Sequence, residues 1–312
     1  MVDEDLVPNL LIAGVTKAGT SSLFWYLIQH PRICPPRDRK EIDYFTPLRY
    51  GHGPSGPLAE YKAHFKHCGE ATYRLDASPH YFDGGPHLVA TVQQTLPDAR
   101  VLIMLRDPVA RFWSTYRTRM ATGILERRTT LQDYFDACLA ARTTGRDKDE
   151  RDKKYRELSQ GCYVEPLSHW FDAFGRNVRV VFFEHLAREP VGVVSDVCDW
   201  LGVGTDHVLD VDLAVRNKTV DPRSVRVSNL AHTVNHHLDP LLRRAPVLKE
   251  SARQLYAKVN GRRNQRRLSE DERRMLQEFY EPANSALHLE LARRGYRDFP
   301  AWLIPKTESS RS

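Results

Sequence analysis

Three short apolar runs constrain the fold of this chain more than any other feature. They are Asn9–Val15 (NLLIAGV), Arg100–Leu105 (RVLIML) and Val178–Phe183 (VRVVFF). Continuous apolar runs suit strands that are buried on both faces of a parallel sheet, and a helix-like amphipathic stretch follows each run. The sequence therefore predicts an α/β fold, in which ligands bind at the carboxyl ends of the strands.

The loop after the first run almost matches a phosphate-binding loop. In the pattern G-x-x-x-x-G-K-[ST] a lysine follows the second glycine, whereas Gly14–Ser22 reads GVTKAGTSS, with Thr20 at that position and the lysine at Lys17. A helix is predicted to follow and to stop before Pro31. Its N-terminus and the two glycines suit a bound phosphate. The missing lysine argues against an ordinary kinase or GTPase.

A second motif follows the second run, in RVLIMLRDPVARFWSTYR. Arg106 ends the predicted strand, and Ser114 lies two turns into the predicted helix. If that helix folds back across the sheet edge, both side chains converge on one anion. In the alternative interpretation Arg106 pairs with Asp107 and Ser114 is an ordinary surface residue.

A third motif, HPRICPPRDRKEIDYF, contains Lys40 and Glu41 just before an aromatic pair. A carboxylate within hydrogen-bond reach of a hydroxyl can take its proton, so Glu41 is the candidate base. His80, in DASPHYF, is the rival base. The alternatives are a surface Glu41 that is paired with Lys40, and a structural histidine.

Together these motifs resemble the sulfotransferases that use 3′-phosphoadenosine 5′-phosphosulfate (PAPS), in the heparan-sulfate-type and bacterial carbohydrate or natural-product branch. The resemblance implies a P-loop-like three-layer α/β/α fold with a mostly parallel sheet. It implies a single domain over residues 1–312, with a core at about 9–201, a nucleotide-closing loop at about 214–228 and a basic helical C-terminal region at about 236–304.

The resemblance also implies roles for individual residues. Glu41 would be the general base, while Lys17 and Lys40 would stabilise the charge that develops on the leaving oxygen. PAPS would be the co-substrate, no metal would be required, and the sulfuryl group would pass to a hydroxyl or, less favourably, an amine. The donor contacts that it implies are Gly14, Thr16, Lys17, Ala18, Gly19, Thr20, Ser21, Arg106, Ser114, Asn217 and Arg223.

The charge of the chain favours anionic partners without choosing among them. The formal net charge is +6, and eleven basic residues stand against four acidic ones between Arg243 and Arg274. Because Tyr256 is the one aromatic residue in that stretch and no nucleic-acid module surrounds it, we expect no nucleic-acid partner. An exposed basic face or a surface for an acidic acceptor is the favoured interpretation.

The five cysteines are scattered, without a C-x-x-C pair or metal-ligand spacing. This distribution favours reduced, buried thiols and no metal site. The N-terminal stretch MVDEDLVPNLLIAGV has acidic residues where a signal peptide needs basic ones, and its apolar run is too short to span a bilayer. We therefore expect a cytoplasmic protein without stable membrane insertion.

Two other functional classes are compatible with the loops. One is a non-catalytic protein that binds a nucleotide or polyanion, and the other is a divergent P-loop kinase. Lys40 and Glu41 discriminate against the first, because a pure binder needs neither a base nor a leaving-group cation. The motifs are compatible with carbohydrate, lipid, polyketide or peptide acceptors and with any oligomeric state.

Overall fold

The structure, a computed structural model, describes residues 6–208, 212, 221–222, 261–262 and 267–305. The chain divides into two compact units. The first comprises Met1–Pro108, Gln160–Asn217 and Glu278–Ser312, and the second comprises Val109–Ser159 and Lys218–Gln277.

A five-stranded sheet with strand order β2-β3-β1-β4-β5 forms the centre of the first unit. Every pair of neighbouring strands in it is parallel. The predicted α/β class and the three predicted strands are confirmed. The strands are β1 (Leu10–Gly14), β2 (Ile33–Cys34), β3 (Tyr73–Asp76), β4 (Arg100–Leu105) and β5 (Val178–Phe182).

Helices connect these strands. Because the chain steps from β1 to β2 in one direction along the sheet and from β3 to β4 in the other, right-handed crossovers place α1 and α3 on opposite faces. Within the first unit α1 packs against α8, and α3 packs against α6. In chain order the α-helices of the described residues are α1 (Thr20–Leu27), α2 (Leu58–Ala63), α3 (Gly85–Thr95), α4 (Pro108–Ala121), α5 (Leu131–Thr143), α6 (Val164–Phe174), α7 (Phe183–Arg188), α8 (Pro190–Leu201) and α9 (Glu270–Arg293).

The core of the first unit surrounds the two central strands. All five residues of β1 are buried, and Val101–Leu105 of β4 have no exposed side-chain surface. Trp170 on α6 is also fully buried, and its indole N–H donates to the carbonyl oxygen of Phe82 across 3.0 Å. Each buried apolar side chain of this size contributes about 1.5–3 kcal/mol, so the core holds the strand ends in place.

The second unit contains α5, most of α4 and a charged run, 146–157. Opposite charges four residues apart in this run predict a solvated helix or a mobile surface segment, but the structure forms short 3₁₀ turns there. Glu157 is buried, its carboxylate lies 3.0 Å from Arg111 and it also pairs with Arg119. The predicted helix is therefore wrong. Several residues of the run are exposed as expected, but its end is buried because the buried Arg111 on α4 requires a carboxylate partner.

Ser269 with Glu272 three residues later predicts the start of a helix that is interrupted at Pro282, and α9 begins there as predicted. The hydroxyl of Ser269 accepts from the backbone N–H of Glu272 across 3.2 Å, and the Glu272 carboxylate accepts in return from the backbone N–H of Ser269. The predicted interruption at Pro282 was wrong, because the helix continues through it. Burial of Leu287 and Leu291 beyond the proline compensates for the hydrogen bond that proline cannot donate.

A disulfide joins Cys34 and Cys68, whose Cα atoms lie 5.6 Å apart. The expectation that all five cysteines are reduced was therefore wrong. Cys34 ends β2 and Cys68 lies in the turn after α2, so residues that are 34 positions apart in sequence meet in the fold. The other three cysteines, Cys138, Cys162 and Cys198, are not disulfide-bonded.

Two short strands, β6 (Asp221–Pro222) and β7 (Gly261–Arg262), pair antiparallel in the second unit. Most of the predicted closing loop and of the basic region 243–274 lies outside the described residues. Across the part of the chain that the structure describes, every helix is too short or too polar to cross a membrane.

Candidate active site

The carboxyl ends of the parallel strands bring the predicted motifs of the first unit to one edge of the sheet. β1 lies between β3 and β4, so the strand order reverses its direction at β1. In open α/β sheets such a reversal leaves a crevice outside the carboxyl ends of the strands. The predicted phosphate loop follows β1, and Arg106 follows β4 directly.

Gly19 closes the loop and is the N-cap of α1, with a left-handed φ of 85°. A Cβ atom at this position would lie 2.7 Å from the ring of Phe183, closer than real Cβ contacts allow. No side chain caps α1, so the positive end of the helix dipole faces the loop without a competing capping group. The conformation and the close approach both explain why glycine is needed here.

The loop residues between the two glycines follow a tight path. The backbone N–H of Ala18 donates to the carbonyl oxygen of Val15 across 3.2 Å, and Lys17 has a left-handed φ of 67°. Ala18 and Thr20 are buried, while Thr16, Lys17 and Ser21 are half-buried. The structure thus forms the predicted loop; its contacts to a donor stay a prediction.

Arg106 joins the second motif to the first. Its Nη1 donates to the carbonyl oxygen of Lys17 across 2.8 Å, and its guanidinium lies 4.4 Å from the centroid of the Phe183 ring. The carbonyl oxygen of Arg106 accepts from the hydroxyl of Tyr163 across 2.8 Å. These contacts fix the arginine against the loop at the sheet edge.

Glu184 supports the turn that follows Arg106. Its Oε1 accepts from the backbone N–H of Asp107 across 3.0 Å. Ser114 is half-buried on α4 and belongs to the second unit, whereas Arg106 belongs to the first. Their convergence on one anion stays a prediction.

Lys40 and Glu41 form an ion pair. Lys40 Nζ lies 2.7 Å from Glu41 Oε1, and the exposed fractions of the two side chains are 18% and 37%. This is the pairing that the alternative interpretation of Glu41 describes. It leaves Glu41 open to solvent, and the role of Glu41 as the base stays a prediction.

His80, the rival base, pairs with Asp43. His80 Nδ1 lies 3.1 Å from Asp43 Oδ1, and this hydrogen bond raises the pKa of His80, against the effect of burial. Burial would raise the pKa of the Asp43 carboxyl, but the hydrogen bonds from His80 and Thr46 and the charges of His80 and Lys40 together outweigh it and lower that pKa. Charge-bearing atoms of Glu41, Asp43 and His80 lie within 4.8 Å of one another. Both candidate bases therefore belong to one cluster.

The same three side chains offer atoms of the kind that bind metal ions. Lys40 and the His80–Asp43 hydrogen bond already engage these atoms. The absence of a metal requirement stays a prediction.

Two contributors to this edge were not identified from the sequence. Asp43 stands two residues after Glu41, and Phe183 ends the third apolar run. The apolar run that contains Phe183 indicates only that this residue is buried. Asp43 pairs with His80, which lies 37 positions away, and a local sequence pattern does not show such a contact. Two predicted donor contacts, Asn217 and Arg223, lie outside the described residues.

Comparison with known proteins assigns the family. The family model described as "Sulfotransferase domain" matches residues 7–282. The chain belongs to the sulfotransferase domain family. The crystal structure of a sulfotransferase from Alicyclobacillus acidocaldarius has the same fold as this sulfotransferase domain, with a TM-score of 0.67 and 25% sequence identity over 95% of this chain and 99% of that one.

Curated relatives of this sulfotransferase domain include enzymes named for heparan sulfate. The bifunctional heparan sulfate N-deacetylase/N-sulfotransferase of Drosophila melanogaster is 23% identical over 96% of this chain and 27% of its own length. The human heparan sulfate glucosamine 3-O-sulfotransferase 3B1 is 27% identical over 63% of this chain and 46% of its own length. The chain thus spans less than half of the length of these relatives.

Proposed function

We propose that this sulfotransferase domain transfers the sulfuryl group of PAPS to an acceptor hydroxyl, with an amine as the less favoured acceptor. The observation that carries the proposal is the 2.8 Å hydrogen bond from Arg106 to the carbonyl oxygen of Lys17. It links the candidate phosphosulfate loop to the arginine for the 3′-phosphate, in a chain whose family is defined by sulfuryl transfer.

The loop suits the 5′ end of the donor. Backbone N–H groups at the start of α1 and the helix dipole attract an anion, and glycine at position 19 lets the loop pack against Phe183 without a Cβ clash. Thr20 and Ser21 add hydroxyl donors at the first turn. Lys17 supplies the cation that a triphosphate loop places after its second glycine.

Arg106 suits the 3′-phosphate. A guanidinium that stacks on an aromatic ring and is anchored by one hydrogen bond keeps a fixed plane, which favours paired N–H donors toward a phosphate. In this proposal Ser114 adds a hydroxyl to the same phosphate, and Asn217 and Arg223 close over the nucleotide.

The reaction in this proposal needs a base and a cation for the leaving group. Glu41 takes the proton of the acceptor hydroxyl while that oxygen forms a bond to sulfur. The bond between sulfur and the bridging oxygen breaks, and 3′-phosphoadenosine 5′-phosphate departs with the electron pair. Lys17 and Lys40 stabilise the charge on the departing oxygen. Lys40 lies 2.7 Å from Glu41, so the base and one cation form a pair.

The acceptor class that the relatives favour is a carbohydrate. Both curated relatives described above are named for heparan sulfate. One of them is named for N-sulfation and the other for O-sulfation, so the preference for a hydroxyl does not come from their names. The net charge of +6 also suits an anionic glycan. We accordingly propose a glycan or small-molecule acceptor and no nucleic-acid partner.

A transfer assay with radiolabelled PAPS tests the proposal. The parent protein should label at least one member of a panel of glycan, lipid, polyketide and peptide hydroxyls. Glu41→Gln should keep donor affinity and lose roughly 10²- to 10⁴-fold in kcat, the usual contribution of a general base. His80→Asn is the matched control for the base assignment.

Three results would oppose the proposal. Binding of the bisphosphate 3′-phosphoadenosine 5′-phosphate without any sulfuryl transfer would favour the non-catalytic class. Transfer of phosphate from ATP would favour the kinase. If His80→Asn abolishes turnover while Glu41→Gln stays near the parent rate, the base is His80.

A further inference from the structure

The buried carboxylate of Asp76 is connected through Ser78 to the segment that carries Glu41 and Asp43. Asp76 is the last residue of β3 and has no exposed surface. Its Oδ1 accepts from the hydroxyl of Ser78 across 2.6 Å, and its Oδ2 accepts from the hydroxyls of Tyr61 and Tyr81 across 2.7 Å and 2.9 Å. Asp76 is therefore a fixed acceptor for three donors.

The bond to Asp76 determines the direction of the other hydrogen bonds of the Ser78 hydroxyl. A serine hydroxyl has one proton, and Ser78 gives it to Asp76. Its oxygen lone pairs then accept from two backbone N–H groups, that of Ile42 across 3.2 Å and that of Asp43 across 2.9 Å. Ser78 thus ties the end of β3 to the backbone that immediately follows Glu41.

The tied backbone has an unusual conformation. Asp43 adopts a left-handed φ of 56°, which non-glycine residues seldom adopt without support. In this conformation Asp43 Oδ1 faces His80 Nδ1 and also accepts from the hydroxyl of Thr46 across 2.9 Å. Thr46 and Ser55 also hold Asp43, but Ser78 is the residue that binds the backbone N–H groups of both Ile42 and Asp43, so it positions Glu41 and, through Asp43, His80.

We propose that Ser78 and Asp76 are positioning residues for the catalytic base of this domain. The inference rests on the proposed function, but it holds for either base, because both depend on the backbone at 42–43. Ser78 and Asp76 act through that backbone and do not themselves accept the substrate proton.

The test compares Ser78→Ala with Tyr61→Phe. Both variants remove one hydroxyl that donates to Asp76, but only Ser78→Ala releases the N–H groups of Ile42 and Asp43. Ser78→Ala should lower kcat by about 10- to 100-fold, the usual effect of a displaced reacting group, while the Kd for 3′-phosphoadenosine 5′-phosphate is unchanged. Tyr61→Phe should leave both values near those of the parent.

A second readout does not depend on turnover. Titration of His80 by NMR should show that its raised pKa falls toward the ordinary value in Ser78→Ala, because Asp43 no longer stays aligned with it. Glu41 and Arg49, which also influence His80, keep their charges in this variant. Tyr61→Phe should not move the titration. If Ser78→Ala does not fold, Ser78→Cys retains the shape with a weaker donor and acceptor and should show the same two effects in smaller measure.

The outcomes separate this inference from the proposed function. A parent protein that binds no bisphosphate and transfers no sulfate would contradict the proposed function, and the His80 titration would still decide whether Ser78 positions the cluster. An active parent whose Ser78 variants keep both kcat and the pKa of His80 would overturn the positioning role.

Discussion

The Nη1 atom of Arg106 donates a hydrogen bond to the carbonyl oxygen of Lys17 across 2.8 Å. The two residues are 89 positions apart, and each belongs to a motif that follows a different strand of the sheet. Since β1 and β4 are parallel neighbours, their carboxyl ends place these motifs side by side. The contact makes the geometry of the loop depend on Arg106.

Replacement of Arg106 by lysine should weaken binding of 3′-phosphoadenosine 5′-phosphate. A lysine keeps the charge but loses the planar stacking on Phe183 and the directed bond to Lys17. The loss should be about 1.5–3 kcal/mol, or roughly 10- to 150-fold in Kd, by calorimetry. Arg188→Lys, at an exposed arginine, is the control. Equal affinity in both variants would contradict a donor role for Arg106.

Replacement of Gly19 by alanine should reduce both stability and bisphosphate affinity. Gly202→Ala is the matched control, because Gly202 also has a left-handed φ but no atom within 4 Å of an added Cβ. The left-handed backbone should cost each variant about 1 kcal/mol in urea unfolding. Only Gly19→Ala should cost more and weaken binding, since its Cβ meets Phe183. Equal losses would mean that the close approach has no role.

The sequence predicts this edge of the sheet better than it predicts the cluster beside it. Apolar runs and glycine spacing report local backbone preferences, so the strands, the loop and the start of α1 follow from them. The Cys34–Cys68 disulfide and the Asp43–His80 pair depend on residues that are 34 and 37 positions apart. A single sequence contains no local signal for such contacts.

The charged run and α9 show how tertiary packing overrides local rules. Charges at helical spacing in 146–157 suggest a solvated helix, yet Glu157 is buried against Arg111. Pro282 should interrupt α9, yet the helix continues because its later turns bury leucines. In both cases burial outweighs the local preference.

The pKa of His80 should fall when Asp43 is replaced by asparagine. The hydrogen bond to Asp43 is the main cause of the raised pKa, so its loss leaves burial to act in the opposite direction. In the parent this pair stabilises the fold fully below the ordinary pKa of histidine, and the stabilisation is lost as pH rises through the raised pKa. NMR titration and unfolding at several pH values measure both effects. An unchanged titration would exclude the pairing.

Replacement of Asp76 by asparagine should change the pH dependence of stability. Burial raises the pKa of Asp76 from 3.8 to about 6, although Ser78, Tyr61 and Tyr81 donate hydrogen bonds to it. Ionisation of Asp76 therefore costs the folded parent more than the unfolded chain, and stability falls as pH rises through about 6. The Asp76→Asn variant does not have this free-energy cost, because an asparagine side chain does not ionise.

The stability of Asp76→Asn relative to the parent should accordingly rise by up to about 3 kcal/mol between about pH 4 and about pH 7, at 1.36 kcal/mol per pKa unit. Urea unfolding at each pH measures the difference. A difference that falls with pH would show that the three hydrogen bonds outweigh burial and keep the carboxylate ionised.

Calorimetry of the parent protein with 3′-phosphoadenosine 5′-phosphate, in buffer that contains EDTA, tests the central claim most directly. We expect saturable binding that does not require a metal, because Lys17, Arg106 and the start of α1 supply the positive charge. Lys17→Ala should weaken this binding by about 10-fold or more, the cost of one charge-assisted hydrogen bond. Failure to bind, or binding only when Mg²⁺ is added, would contradict the assignment of this loop to a sulfate donor.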